Sequence, residues 1–145
     1  LRRGGGPSAS LIADGMTLDF GGLMQLLGRR AELQRIGAGF FRDWDVLVLP
    51  AFPRTAFPHR DDSLRERTFV IDGRESSGLD LAFFPQVAIF CGLPATAFPA
   101  GFDERNLPIG LQAVGPYLED RTPLRFAQLL EREWHAFVPP PGYPG

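Results

Sequence analysis

The sequence contains no lysine, all 15 of its basic residues being arginine, which excludes any chemistry that needs a lysine on this chain. Cys91 is its single cysteine, so no internal disulfide can form. The formal charge is only −2, which leaves no basic field to hold nucleic acid or an anionic membrane. No apolar run approaches the ~18 residues of a membrane-crossing helix, and no signal-peptide apolar region opens the chain. A cytoplasmic location is the resulting expectation. His59 and His135 are the two histidines; with no recognisable ligand spacing around them, no metal and no cofactor are expected. The chain starts Leu1-Arg2-Arg3 without a methionine and is therefore expected to be part of a longer product, by truncation or proteolysis.

What remains is an ordinary globular composition. The 145 residues make about one domain, 44% hydrophobic and 22% charged. Thirteen phenylalanines can bury a large area for a chain of this size.

Residues 1–17, with Gly, Arg and Ser and no periodicity, are expected to form a flexible lead-in. Leu23, Leu26, Leu33, Ile36 and Phe40 then recur at helical intervals and predict an amphipathic helix over about 23–41, loosened at Gly37 and Gly39. Val46-Leu47-Val48-Leu49 reads as a strand covered on both faces. Three prolines make residues 50–58 extended or turning, and His59-Arg60-Asp61-Asp62 reads as a solvated charged loop. Thr68 to Ile71 followed by Asp72-Gly73 predicts a strand and a hairpin turn. A helix is expected over about 81–90, with Pro85 in its first turn.

The most organised stretch is Cys91 to Pro116, CGLPATAFPAGFDERNLPIGLQAVGP. Its apolar runs Ala95–Phe98 and Ile109–Val114 predict two strands joined by an antiparallel return. In the second run Ile109, Leu111 and Ala113 make an apolar face, opposite Gly110, Gln112 and Val114. A last helix follows, capped by Asp120 or Thr122, with Pro123 in its first turn and Phe126, Ala127, Leu130, Trp134 and Phe137 as its stripe. Residues 139–145 are a proline-rich tail, which leaves 18–138 as the domain.

Several residues are chemically tempting and weaker on inspection. Ser76-Ser77-Gly78 follows Glu75 and suits a cap or turn better than a nucleophile. Cys91 sits beside Ile89 and Phe90, an apolar setting for an inert thiol. Asp43 with Asp45, and Asp61 with Asp62, are sequence neighbours that fit solvated faces better than a shared substrate.

GLPATAFPAGFDERNLPIGLQAVGP, with DVLVLP at 45–50 upstream and Asp120 to Glu131 downstream, resembles the C-terminal segment of the amidase signature family of serine hydrolases. The resemblance runs over about 23–137. It implies an α/β fold with helices packed on a mixed β-sheet, of which this chain is an incomplete C-terminal part. It also implies a mechanism using a nucleophilic Ser, a second Ser and a Lys base, all from an N-terminal half. With no Lys and no long Gly/Ser-rich segment, this chain cannot carry that triad, so the parent is read as an amidase of linear carboxamides and the chain alone as inactive. Its expected share is scaffold and part of the substrate pocket, with Phe84, Gly92, Leu93 and Pro94 as substrate-binding residues and none catalytic. Ile89 stands where many relatives carry Asn. Ala82 occupies the position, about ten before Gly92, where relatives that bind a charged amine carry an acid, with Asp80 two residues off, so a charged-amine substrate is not expected. Phe83 and Phe84, with Phe98 and Phe102, favour an apolar or aromatic amide.

The partners expected are a small amide substrate, reached through the missing N-terminal part, and either self-association or pairing with the rest of the fold. Neither nucleic acid nor membrane is expected. Two alternatives stay open: a non-catalytic binding module with this fold, and a subunit portion of a transamidation complex.

Overall fold

The computed structural model describes residues 13–63 and 66–143, so most of the expected lead-in lies outside the described residues. Helix α1 spans Phe20–Phe40. It starts where Asp19 accepts a hydrogen bond from the Gly22 N–H at 2.7 Å, satisfying one of the free donors of the first turn. Strand β1 covers Leu47–Pro50, β2 Thr68–Ile71 and β3 Arg74–Ser77. A single 3₁₀ turn at Asp80–Ala82 leads into α2, Phe83–Cys91; β4 (Ala95–Phe102), β5 (Pro108–Val114) and α3 (Arg121–Glu133) complete the order.

The main sheet has three strands in the order β1-β5-β4, and β2 pairs with β3 in a separate hairpin. Every described strand pair is antiparallel, with Leu47 opposite Val114 on one side of β5 and Ala95 opposite Val114 on the other. Helix α3 lies on β4 and β5, while α1 packs on α2. The chain is thus an α/β unit of helices packed on a sheet.

Central position explains the burial of β5. Gln112, Ala113 and Val114 are all buried, so the alternation expected from the sequence gives way to cover on both faces at this end. Gln112 tolerates burial because its side-chain amide donates to the Pro50 carbonyl at 3.1 Å. Strand β1 corrects the sequence reading in the other direction. It is a sheet edge, and Val48 is 41% exposed rather than covered. Pro99 is tolerated in β4 for the same reason, since that strand too is an edge, and the register shifts between Pro99 and Gly101.

Two helices depart from expectation in what they bury. No residue of α1 is buried, and Leu26 and Ile36 of the expected stripe stand 52% and 62% exposed. Of that stripe Leu33 does face α2, together with Arg30, while Gly37 lies near Leu93 just beyond it. There the Arg30 Nε donates to the Phe90 carbonyl at 3.2 Å and the Cys91 thiol to the Leu33 carbonyl at 3.8 Å. In α3, Phe126 meets Phe98 edge-on at 6.1 Å, but Trp134 and Phe137 are exposed because the helix ends at Glu133. Pro123 is buried in its first turn, so close to Gly115 that a Cβ there would lie 2.5 Å from the proline Cδ.

Candidate functional site

The loop after β1, residues 51–57, is laid along β5 by a short series of bonds. The Ala51 N–H donates to the Gly110 carbonyl at 3.0 Å. Further out, the Thr55 hydroxyl donates to the Asp103 carboxylate at 2.8 Å. Asp103 is the organising residue of the β4–β5 turn, since one carboxylate oxygen accepts from the backbone N–H of both Arg105 and Leu107 at 2.9 Å. The other oxygen pairs with the Arg105 guanidinium at 3.1 Å, and that guanidinium also donates to the Thr55 hydroxyl at 3.0 Å. These bonds, the Leu107 N–H foremost, hold the Asp103 pKa down at about 2, against the ordinary 3.8.

The loop so held forms one wall of a cavity of about 670 Å³. Pro108 to Leu111 of β5 make a second wall, Phe84 of α2 a third, and Ile71 and Asp72 of the β2–β3 hairpin close one end. Most of the lining is apolar. Among the described residues Arg54 is the single cation on it, its guanidinium carbon 4.8 Å from the centroid of Phe69 and 5.5 Å from that of Phe57. Arg67 shares this aromatic cluster, 5.8 Å from the Phe57 centroid, but its Nε and Nη2 donate to the Asp62 carbonyl at 3.1 and 2.7 Å, Nη2 also to the Arg60 carbonyl, and Nε lies 3.2 Å from the Asp62 carboxylate. The loop read as solvated therefore plays a structural part, neutralising a buried arginine.

A second cavity, about 620 Å³, lies between α1 and the end of α2, lined by Gln34, Arg35, Ala38, Cys91, Leu93 and Tyr117 among others. The four residues expected to bind substrate divide between these places. Phe84 is on the wall of the first cavity and Leu93 on that of the second. Gly92 is the left-handed cap of α2, φ 67°, where the Leu93 N–H reaches the Ala88 carbonyl at 2.9 Å and its own N–H the Ile89 carbonyl at 3.2 Å. Pro94 offers its carbonyl to the Gly115 N–H at 2.9 Å, in register with the sheet. Phe84 lies eight residue steps, roughly 12 Å of helical rise, from Gly92, and neither of these two cavities takes in all four.

Among the described residues lining the first cavity, no serine, cysteine, histidine or lysine is present. Thr55 is the only hydroxyl among the described lining residues, and it is bonded to Asp103 and Arg105. Ser76 and Ser77, expected in a cap or turn, instead end strand β3, and from there the Ser77 hydroxyl accepts from the Leu79 N–H at 3.2 Å and its own N–H donates to Asp80 at 2.8 Å. His135 packs edge-on against Phe102 at 6.4 Å. Among the described residues no group of His, Cys, Asp or Glu could hold a metal ion, and no helix is long and apolar enough to cross a membrane. Arg54 and the Thr55–Asp103–Arg105 clamp were not singled out from sequence. The signal for the clamp is present in Asp103-Glu104-Arg105-Asn106, an Asx turn between two apolar runs. Arg54 offers no signal beyond a charge among prolines and phenylalanines.

Comparisons with known proteins place this architecture. A family model described as Amidase matches residues 19–124. The chain is similar to the A subunit of the glutamyl-tRNA(Gln) amidotransferase of Halothermothrix orenii, 38% identical over 92 residues, which are 63% of this chain and 17% of that protein. The same subunit of the Thermus thermophilus enzyme is 38% identical over 107 residues, 70% of this chain and 19% of its own. Among solved structures, an amidase superposes with a TM-score of 0.73 at 24% identity, covering 89% of this chain and 29% of the amidase. The amidotransferase A subunit from Thermotoga maritima superposes with a TM-score of 0.60 at 22% identity, covering 94% and 30%. The chain therefore spans under a fifth of the length of these curated relatives and under a third of these solved chains. With a family match running from Asp19 to Leu124 and the same fold in solved amidases, the chain belongs to the amidase family.

Proposed function

We propose that this chain is the C-terminal part of an enzyme that hydrolyses linear carboxamides through an acyl-enzyme, and that it contributes scaffold and pocket wall while the reacting groups lie elsewhere. The observation that carries the reading is the family match on a chain without a single lysine. An amidase of the Ser/Ser/Lys type cannot assemble its base from these residues. The cavity beside Phe84 supports the assigned share: it is large enough for a small ligand, mainly apolar, and holds no free nucleophile. Phe52 and Ile109 on its walls remain 38% and 36% exposed, as expected of a surface completed by further chain.

A second reading is favoured by the relatives' names. As a portion of an amidotransferase A subunit, the chain would serve amide transfer within a multi-subunit complex. The polypeptide encoded by the complete gene separates the two when it is assayed for ammonia release from benzamide and aliphatic amides, and for amidation of glutamyl-tRNA(Gln). Ammonia from the simple amides supports the first reading; amidation of the tRNA substrate alone supports the second. Neither activity would overturn both and leave a binding module.

A further inference from the structure

We propose that the cavity between the 51–57 loop, β5 and Phe84 binds a small carboxylate with a flat apolar body, and that Arg54 is the residue that holds the carboxylate. Two arginines share the Phe57–Phe69 cluster, and the difference between them is the basis for this assignment. Arg67 is buried, and its Nε and Nη2 donate to the Asp62 and Arg60 carbonyls with the Asp62 carboxylate beside Nε. Arg54 is held by the faces of the same rings, yet among the described residues it makes no hydrogen bond and no ion pair, and its Nε is fully enclosed without an acceptor.

A guanidinium carries five N–H donors in a rigid fork, and the Arg54 Nε–H, enclosed without an acceptor, carries the cost of a buried donor left unmade. Carboxylate is the partner whose geometry the fork matches in two parallel bonds. The ring contacts fix Arg54 in place before any ligand arrives, so little side-chain freedom is lost on binding. The rest of the lining sets the body of the ligand: Phe52, Phe84, Ile109 and Leu111 offer an apolar slot in a cavity of about 670 Å³. Asp72 is the only acidic group on the wall; it is exposed at the β2–β3 turn and forms no ion pair with Arg54 among the described residues. A carboxylic acid is also the product class of amide hydrolysis, but this inference needs only the cavity and Arg54, and it stands or falls without any turnover.

The test is a pair of titrations on the 145-residue chain, with benzoate and with benzamide, following the Arg54 Nε–H resonance by ¹⁵N NMR. Benzoate should bind at least about tenfold more tightly than benzamide and should shift the Arg54 signal; raising the salt should weaken benzoate alone. In R54Q the preference should vanish while benzamide binding persists, which also reports that the variant is folded. Equal affinities in the wild-type chain, or benzoate binding that leaves the Arg54 resonance unmoved, would overturn the inference whatever the variant does.

Discussion

Asp103 is where one side chain decides the shape of the cavity. It ties its own turn to Thr55, and through Thr55 to the 51–57 loop that carries Arg54. The depressed pKa gives this a pH signature. A carboxyl whose folded pKa lies below its ordinary value stabilises the fold fully above that ordinary value, and the stabilisation is lost as pH falls through the folded pKa. Here the window runs from 3.8 down to about 2. D103N should therefore melt at a lower temperature than the wild-type chain at neutral pH, and the gap should close as the melts are repeated from about pH 4 towards about pH 2. A gap that does not change with pH would show the contribution to be packing rather than charge. Gly115 is a second decisive residue. Since a Cβ there meets buried Pro123 at 2.5 Å, Gly115→Ala should cost roughly 1–3 kcal/mol by overpacking, read as a lower urea midpoint.

At the scale of elements, the reversal at the end of α2 is the feature most dependent on one conformation. Gly92 sits at φ 67°, so Gly92→Ala should cost about 1 kcal/mol or more for forcing a Cβ into the left-handed region. Far-UV circular dichroism under denaturant titration would show it as a lower midpoint. The elements whose reasons are local were legible in the sequence. Asp72-Gly73 announced the β2–β3 hairpin, and the turn has the positive φ of 49° and 75° that such a pair supplies. The runs flanking Gly101 to Asn106 announced the β4–β5 pair. What was not legible depended on what each element touches. Leu26 and Ile36 have helical spacing, but spacing cannot say which face of α1 meets α2; the face of Arg30 and Leu33 does, through bonds to Phe90 and Cys91. Likewise Val48 reads as core and lies at an edge. Nor could any sequence pattern tell Arg54 from Arg67, because the acceptors that separate them come from Arg60 and Asp62 through the folding of a loop.

On the scale of the whole molecule, apolar surface is the outstanding property. Leu23, Leu26, Leu27 and Ile36 of α1 are all more than 40% exposed, as are Phe83, Ile89 and Phe90 of α2 and Val48 on the open edge of β1. Surface of that kind marks an interface or an association hazard. The isolated chain should self-associate in size-exclusion chromatography with light scattering, and L26E combined with I36E should shift it towards the 16.0 kDa monomer while leaving its circular dichroism unchanged. If the wild-type chain is already a monomer at tens of micromolar, the apolar face needs no cover. The claim that ties fold, family and cavity together is that this chain supplies wall and scaffold but not the reacting groups. Its most direct test is ammonia release from benzamide by the 145-residue chain, measured alone and then with the polypeptide encoded upstream in the same gene added in trans. The expected result is no turnover alone and turnover on mixing; turnover by the lysine-free chain by itself would contradict the account.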